Sequence, residues 1–120
     1  MDSNIYNILI DSIKIGTTKF EYGDPTMGVV FGKLNFIGIE SGYEFLKNYC
    51  IKKQIEFTDY IDDRSISTRG ISNLKIFDSY NNEIKGIASS ISGMDSDNFE
   101  ITLEGIPFPF YGEEFPEHIK

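Results

Sequence analysis

The stretch Phe99-Glu100-Ile101-Thr102-Leu103-Glu104 decides the fold class of this chain. Apolar and polar residues alternate with period two, which puts Phe99, Ile101 and Leu103 on a core face and Glu100, Thr102 and Glu104 in water. A strand buried on one face only belongs to an antiparallel sheet. Working outward, residues 93–98 are polar and glycine-bounded, the composition of a turn. Residues 74–78 and 83–90 flank Tyr80-Asn81-Asn82 and read as a hairpin. On the other side, Ile106-Pro107-Phe108-Pro109-Phe110-Tyr111 alternates proline with aromatics. Proline cannot donate to a ladder, so this segment is expected as an edge or cover strand.

The N-terminal half repeats the theme. Residues 5–10 form a first strand, Asp11-Ser12 a two-residue turn, and residues 13–15 the return, with Ile8, Ile10, Ile13 and Ile15 close together. Gly16 interrupts, and residues 17–22 resume with Thr18, Phe20 and Tyr22 on one face. Gly23-Asp24-Pro25 is a turn before residues 27–36, the most apolar stretch, where Gly28 and Gly32 suit a bent or closely packed strand. Residues 41–53 depart from this pattern. Ser41-Gly42-Tyr43-Glu44 is a capping box, and Phe45, Leu46, Tyr49 and Cys50 follow at helical spacing, leaving Lys47, Asn48, Lys52 and Lys53 outward. One helix over 42–52 results, with lysines at its negative end. Residues 55–58 suggest a short strand and 59–64 a polar loop. The expected architecture is α+β: mainly antiparallel sheet, closing toward a barrel or sandwich, with one helix packed on it.

The chain has 120 residues, 40% hydrophobic and 25% charged, enough for one domain with its own core. Nineteen acidic residues against 11 basic ones give a net charge of −8, so nucleic acid and anionic membranes are not expected as partners. A single cysteine, Cys50, excludes an internal disulfide and a multi-cysteine zinc site, and a single histidine, His118, excludes a histidine-rich one. No apolar run reaches the roughly 18–20 residues that cross a bilayer. Residues 1–12 carry neither a basic region nor a small-residue cleavage site, so a cytoplasmic location is expected.

Chemical equipment is sparse. Asp95-Ser96-Asp97-Asn98-Phe99-Glu100 begins like a calcium loop, but Phe99 takes the fifth place and the closing glutamate is missing, so a solvated hairpin turn is the better reading. Asp59, Asp62 and Asp63 sit in a polar stretch with nothing to separate their pKa values, as acid–base catalysis requires. His118 is close to the chain end, and Cys50 faces the presumed core. Neither a Gly-x-Ser-x-Gly elbow nor a phosphate-binding glycine loop occurs. No catalytic, metal or cofactor role is expected of any residue. The segment from Pro107 to Tyr111, with Glu113, Glu114 and Phe115 behind it, mixes aromatics and acids in a way that suits docking: charges steer and aromatics anchor.

Tyr6-Asn7-Ile8-Leu9-Ile10, Met27-Gly28-Val29-Val30-Phe31-Gly32, residues 41–50 and residues 92–111, taken with size, acidity and β-richness, give the chain a profile. It resembles the small acidic immunity proteins of bacterial polymorphic-toxin systems, including contact-dependent growth inhibition. The resemblance implies a non-enzymatic inhibitor that occludes the basic active site of a cognate toxin, a nuclease above all. Carboxylates would there replace the charge of the substrate phosphates. Exposed acids in turns and near the C-terminus are the candidate contacts: Asp59, Asp62, Asp63, Asp95, Asp97, Glu113 and Glu114. The alternative is a non-catalytic module that binds a small molecule or carbohydrate on an aromatic-lined face.

Overall fold

The Asp11-Ser12 turn sets the first hairpin. Both residues adopt positive φ, 52° and 68°, the twist that a two-residue turn needs to match its strands. In the computed structural model, which describes residues 4–119, β1 (Tyr6–Ile10) and β2 (Ile13–Thr18) pair antiparallel across this turn. The residues before Asn4 that belong to the stretch read for a leader lie outside the described part. Gly16 pairs with Ile8 and the register shift that follows leaves Ile15 as the extra residue of β2, so the strand continues through that glycine rather than stopping there. The shift also separates the isoleucines. Ile8, Ile10 and Ile15 are buried, whereas Ile13 is 67% exposed.

β3 (Tyr22–Asp24) is a short strand on β4 (Val29–Phe36), joined by a 3₁₀ turn at Pro25–Met27. Phe20 takes φ of 47° just before β3. That breaks the alternation, so Thr18 and Phe20 are buried while Tyr22 is exposed. Gly28 lies in the turn rather than the strand, at φ of 65°, a conformation costly for residues with a Cβ. Gly32 is a packing glycine: a Cβ there would meet Thr18 Oγ1 and the Phe20 backbone.

Helix α1 (Gly42–Lys53) follows, then β5 (Phe57–Tyr60), a 3₁₀ turn at Ile61–Asp63, β6 (Ser65–Thr68) and β7 (Leu74–Phe77). The hairpin expected over 74–90 forms only as far as Ile84. After β7 the return makes one bridge, Phe77 to Glu83, with bonds from Ile84 N–H to the Ile76 carbonyl and from Asp78 N–H to the Asn82 carbonyl. The chain then leaves to form β8 (Ala88–Met94), which pairs with β6 and β9 (Phe99–Glu104) instead. The alternation in β9 holds: Phe99, Ile101 and Leu103 are buried.

The proline–aromatic segment is not a strand. Pro107 accepts from the Tyr111 amide, and residues Phe110–Glu114 wind into helix α2, followed by a 3₁₀ turn at Pro116–His118. Tyr111 and Phe115 enter the core beside Tyr6 and Phe20, with ring centroids 5.2–6.0 Å apart. Burying aromatics of this size contributes about 1.5–3 kcal/mol each. The sheet runs β5-β6-β8-β9-β4-β2-β1-β7, with β3 beside β4. All nine strands pair antiparallel, and α1 is the main helix against them. The sheet does not close into a barrel. Its ends, β5 and β7, do not pair, and the chain that returns after β7 bridges to it only at Phe77 and Glu83. No helix among the described residues is long and apolar enough to cross a membrane.

Candidate functional site

The N-terminus of α1 organises the largest polar cluster among the described residues. Ser41 caps the helix, its Oγ accepting from the Glu44 amide at 3.1 Å. The Glu44 carboxylate does not return to Ser41; it meets Arg64 Nη2 at 2.7 Å. Asp95, from the β8–β9 turn, supplies the missing acceptor. Its carboxylate takes the Tyr43 amide at 3.0 Å, the Ser41 hydroxyl, and Arg64 Nε at 3.0 Å. A carboxylate at a helix N-terminus is favoured by both the free amides and the helix dipole. Burial opposes ionisation of Asp95, but the Ser41, Tyr43 and Arg64 contacts outweigh it and hold the carboxyl below its ordinary value.

Arg64 reaches this position because the chain turns back on itself there. It sits at φ of 49° after the 3₁₀ turn, with its amide bonded to the Ile61 carbonyl. Its guanidinium lies 5.3 Å from the Tyr43 ring centre, and Lys47 Nζ lies 5.5 Å from the same ring. Lys47 also pairs with Asp59 at 3.0 Å, and the Tyr43 hydroxyl donates to Asp59 at 2.6 Å. The Tyr43 hydrogen bond, followed by Lys47, lowers the Asp59 pKa; the bond to Asp59 in turn raises those of Tyr43 and Lys47.

The seven acids singled out from sequence therefore divide. Asp59 lies in strand β5, not in a loop, and with Asp95 it is committed to internal partners. Asp62 and Asp63 are exposed on the 3₁₀ turn, and Asp97 is exposed on the β8–β9 turn; none forms an ion pair among the described residues. Asp62, Asp63, Arg64 and Asp95 line one shallow concavity of about 490 Å³, and Asp97 borders the adjoining one. Glu113 and Glu114 belong to α2, in the C-terminal segment. Glu113 is exposed, whereas Glu114 accepts from the Tyr6 hydroxyl at 2.7 Å. That bond, the Tyr111 hydroxyl on the Val29 carbonyl at 2.8 Å, and His118 on the Phe20 carbonyl at 3.0 Å fasten the C-terminal segment to β1–β4. A carbonyl only accepts, so His118 Nε2 carries the proton in this bond.

Sequence reasoning did not single out Arg64 or Tyr43, which knit the cluster together, nor Tyr60 and Ile61. These last two stand 54% and 66% exposed immediately before Asp62 and Asp63. An isoleucine followed by two aspartates in a tight turn was a readable signal for an exposed apolar tip. Among the described residues no group of three or more His, Cys, Asp or Glu is placed to hold a metal ion. Between β7 and β8 a cleft of about 350 Å³ opens, lined by Leu74, Ile76, Ile84 and Leu103 with Lys75 and Lys85 among its polar groups. A scan against protein-family models and searches of curated proteins and of solved structures return no match to this chain.

Proposed function

We propose that this chain is a cytoplasmic immunity protein that binds a cognate toxin domain and covers its basic active site, a nuclease site in our reading. The observation that carries the proposal is the run Tyr60-Ile61-Asp62-Asp63, which presents, at the end of β5 and on the turn after it, two large exposed side chains and two carboxylates without an ion pair among the described residues. Behind it, the Arg64–Asp95–Ser41–Glu44 cluster ties the turn to α1 and to the β8–β9 turn, so the contact surface is held before the partner arrives. Apolar anchors ringed by charge are the arrangement that combines affinity with steering. With a net charge of −8, association with a basic domain is accelerated, to as much as about 10⁸–10⁹ M⁻¹s⁻¹ at low salt.

Calorimetric mixing with the toxin domain of the neighbouring reading frame tests this. A tight, salt-sensitive complex and loss of the toxin's activity are expected, and absence of any complex at low salt removes the proposal. Lysine substitutions at Asp62, Asp63, Asp97 and Glu113 should slow association and flatten its salt dependence.

A second reading, a small-molecule binding module, is favoured by the β7–β8 cleft, whose size lies at the lower end of ligand pockets. No aromatic side chain lines it among the described residues, so the ring-stacking surface of a carbohydrate module is not supplied there. Saturable binding of a small ligand that shifts the resonances of Ile76 and Ile84 would favour this reading.

A further inference from the structure

We propose that the outer edge of β5 receives an extended, basic segment of the partner, added to the sheet as a further strand. The proposal rests on the immunity reading for the partner's identity, but not for the existence of the edge.

Hydrogen-bond phase locates the open groups. The Arg69 amide donates to the Glu56 carbonyl at 3.0 Å, which makes that pair a hydrogen-bonded one. Antiparallel ladders alternate, so Thr58–Ser67 and Tyr60–Ser65 are the next bonded pairs in the register. The N–H and C=O groups of Phe57 and Asp59 consequently point away from β6. β5 ends the sheet, and among the described residues no hydrogen bond satisfies the Phe57 or Asp59 amide. The opposite end is different: residues after β7 cap its edge through Ile84 on Ile76 and the Phe77–Glu83 bridge. A short edge strand whose backbone groups are left unpaired is a template for strand addition.

Charge selects the occupant. Glu56 precedes the edge and Asp62 and Asp63 follow it, all exposed, while the cations nearest in the fold, Lys47 and Arg64, are already paired. Arg69 stands across from Glu56 as the one basic neighbour on β6's side of the register. A second copy of this chain would bring the same carboxylates and a charge of −8 against them. A basic strand meets both requirements: its backbone pairs with Phe57 and Asp59, and alternate Lys or Arg side chains face Glu56, Asp62 and Asp63.

The test uses the intact protein, labelled with ¹⁵N, and an acetylated octapeptide of alternating lysine and valine. Without peptide, the Phe57 and Asp59 amides exchange rapidly. At saturation their exchange should slow by about tenfold or more. The same peptide interrupted by a central proline, and a glutamate–valine counterpart, should leave both amides unchanged. Equal slowing by the proline peptide, protection confined to another strand, or self-association through β5 overturns the proposal. The toxin domain separates the two claims. If it binds while Phe57 and Asp59 stay open, strand addition fails and the inhibitor reading stands. If the lysine–valine peptide protects both amides but the toxin domain does not bind, the edge stands and the inhibitor reading fails.

Discussion

Replacing Asp95 with alanine removes the acceptor that joins α1 to the β8–β9 turn. The carboxylate serves the Tyr43 amide, the Ser41 hydroxyl and Arg64, and its side chain is only 20% exposed. Hydrogen bonds to a charged group contribute about 1.5–3 kcal/mol when shielded, and a half-exposed ion pair about 0–1 kcal/mol. Arg64 is half exposed and retains Glu44, so its share is small. Ser41 can turn its hydroxyl elsewhere, whereas the Tyr43 amide, on a residue 4% exposed, cannot. The sum for Asp95→Ala is about 2–3 kcal/mol. For 120 residues, an unfolding entropy of about 2.1 cal/mol/K per residue turns this into a fall in Tm of about 8–12 °C. Asp95→Asn keeps the shape and one acceptor oxygen and should fall between variant and parent.

The acid limb of the same experiment has a definite sign. Asp95 is held below its ordinary pKa in the folded state, so its stabilisation is complete above the usual carboxylate range. It is lost as pH falls through the lowered folded value. Thermal unfolding followed by circular dichroism at neutral and acidic pH should show the gap between parent and Asp95→Ala narrowing in acid. A neutral-pH difference under about 3 °C, or a gap that persists in acid, refutes the role assigned to this carboxylate.

Ile101→Ala, at a fully buried site between β4 and β8, should cost roughly 3–4 kcal/mol in urea unfolding. Ile13→Ala should stay within about 0.5 kcal/mol, and equal costs would contradict the β1–β2 register. Tyr6→Phe should lose about 1 kcal/mol with the bond to Glu114. Burial first, then that bond, raises the Tyr6 pKa, so its contribution is full below the usual tyrosine range and wanes as pH climbs beyond it. Phenolate absorbance in alkali should therefore show Tyr6 and the equally buried Tyr111 ionising only with unfolding, and that late component should shrink by one tyrosine in Tyr6→Phe. Burial raises the Cys50 pKa, so a disulfide reagent should label it only on the unfolding timescale; fast labelling of the native protein would contradict its place in α1.

The parts of the fold legible in sequence are those set by neighbours a few residues apart. The β9 alternation, the Asp11-Ser12 turn and the Ser41 half of the capping box depend on local geometry and form as expected, whereas the Glu44 half is lost to Arg64, a residue from a distant turn. Errors arose where a local pattern had two outlets. Proximity in sequence favours hairpins and makes residues 83–90 the expected partner of 74–78. In the fold, Ala88–Met94 lies between β6 and β9, a long-range choice that sequence spacing cannot rank. The proline–aromatic run satisfies a cover strand and a short helix equally well; burial of Tyr111 and Phe115 against Tyr6 and Phe20 selects the helix.

The candidate site shows the same division. Acidity, exposure of Asp62 and Asp63, and their place in a turn are properties of the local chain. Whether an acid is free is not. Asp59 meets Lys47 and Tyr43 from α1, Asp95 meets Ser41 and Arg64, and Glu114 meets Tyr6 across 108 positions of sequence. By itself the sequence determined an acidic α+β chain whose strands bury one face and whose single long helix starts at Ser41, because side-chain periodicity and capping act over a few bonds. Tertiary structure alone decided which carboxylates are neutralised, which strand ends the sheet, and that the sheet stays open. Those outcomes depend on which distant groups compete for each partner, a comparison of free energies that only the folded chain resolves.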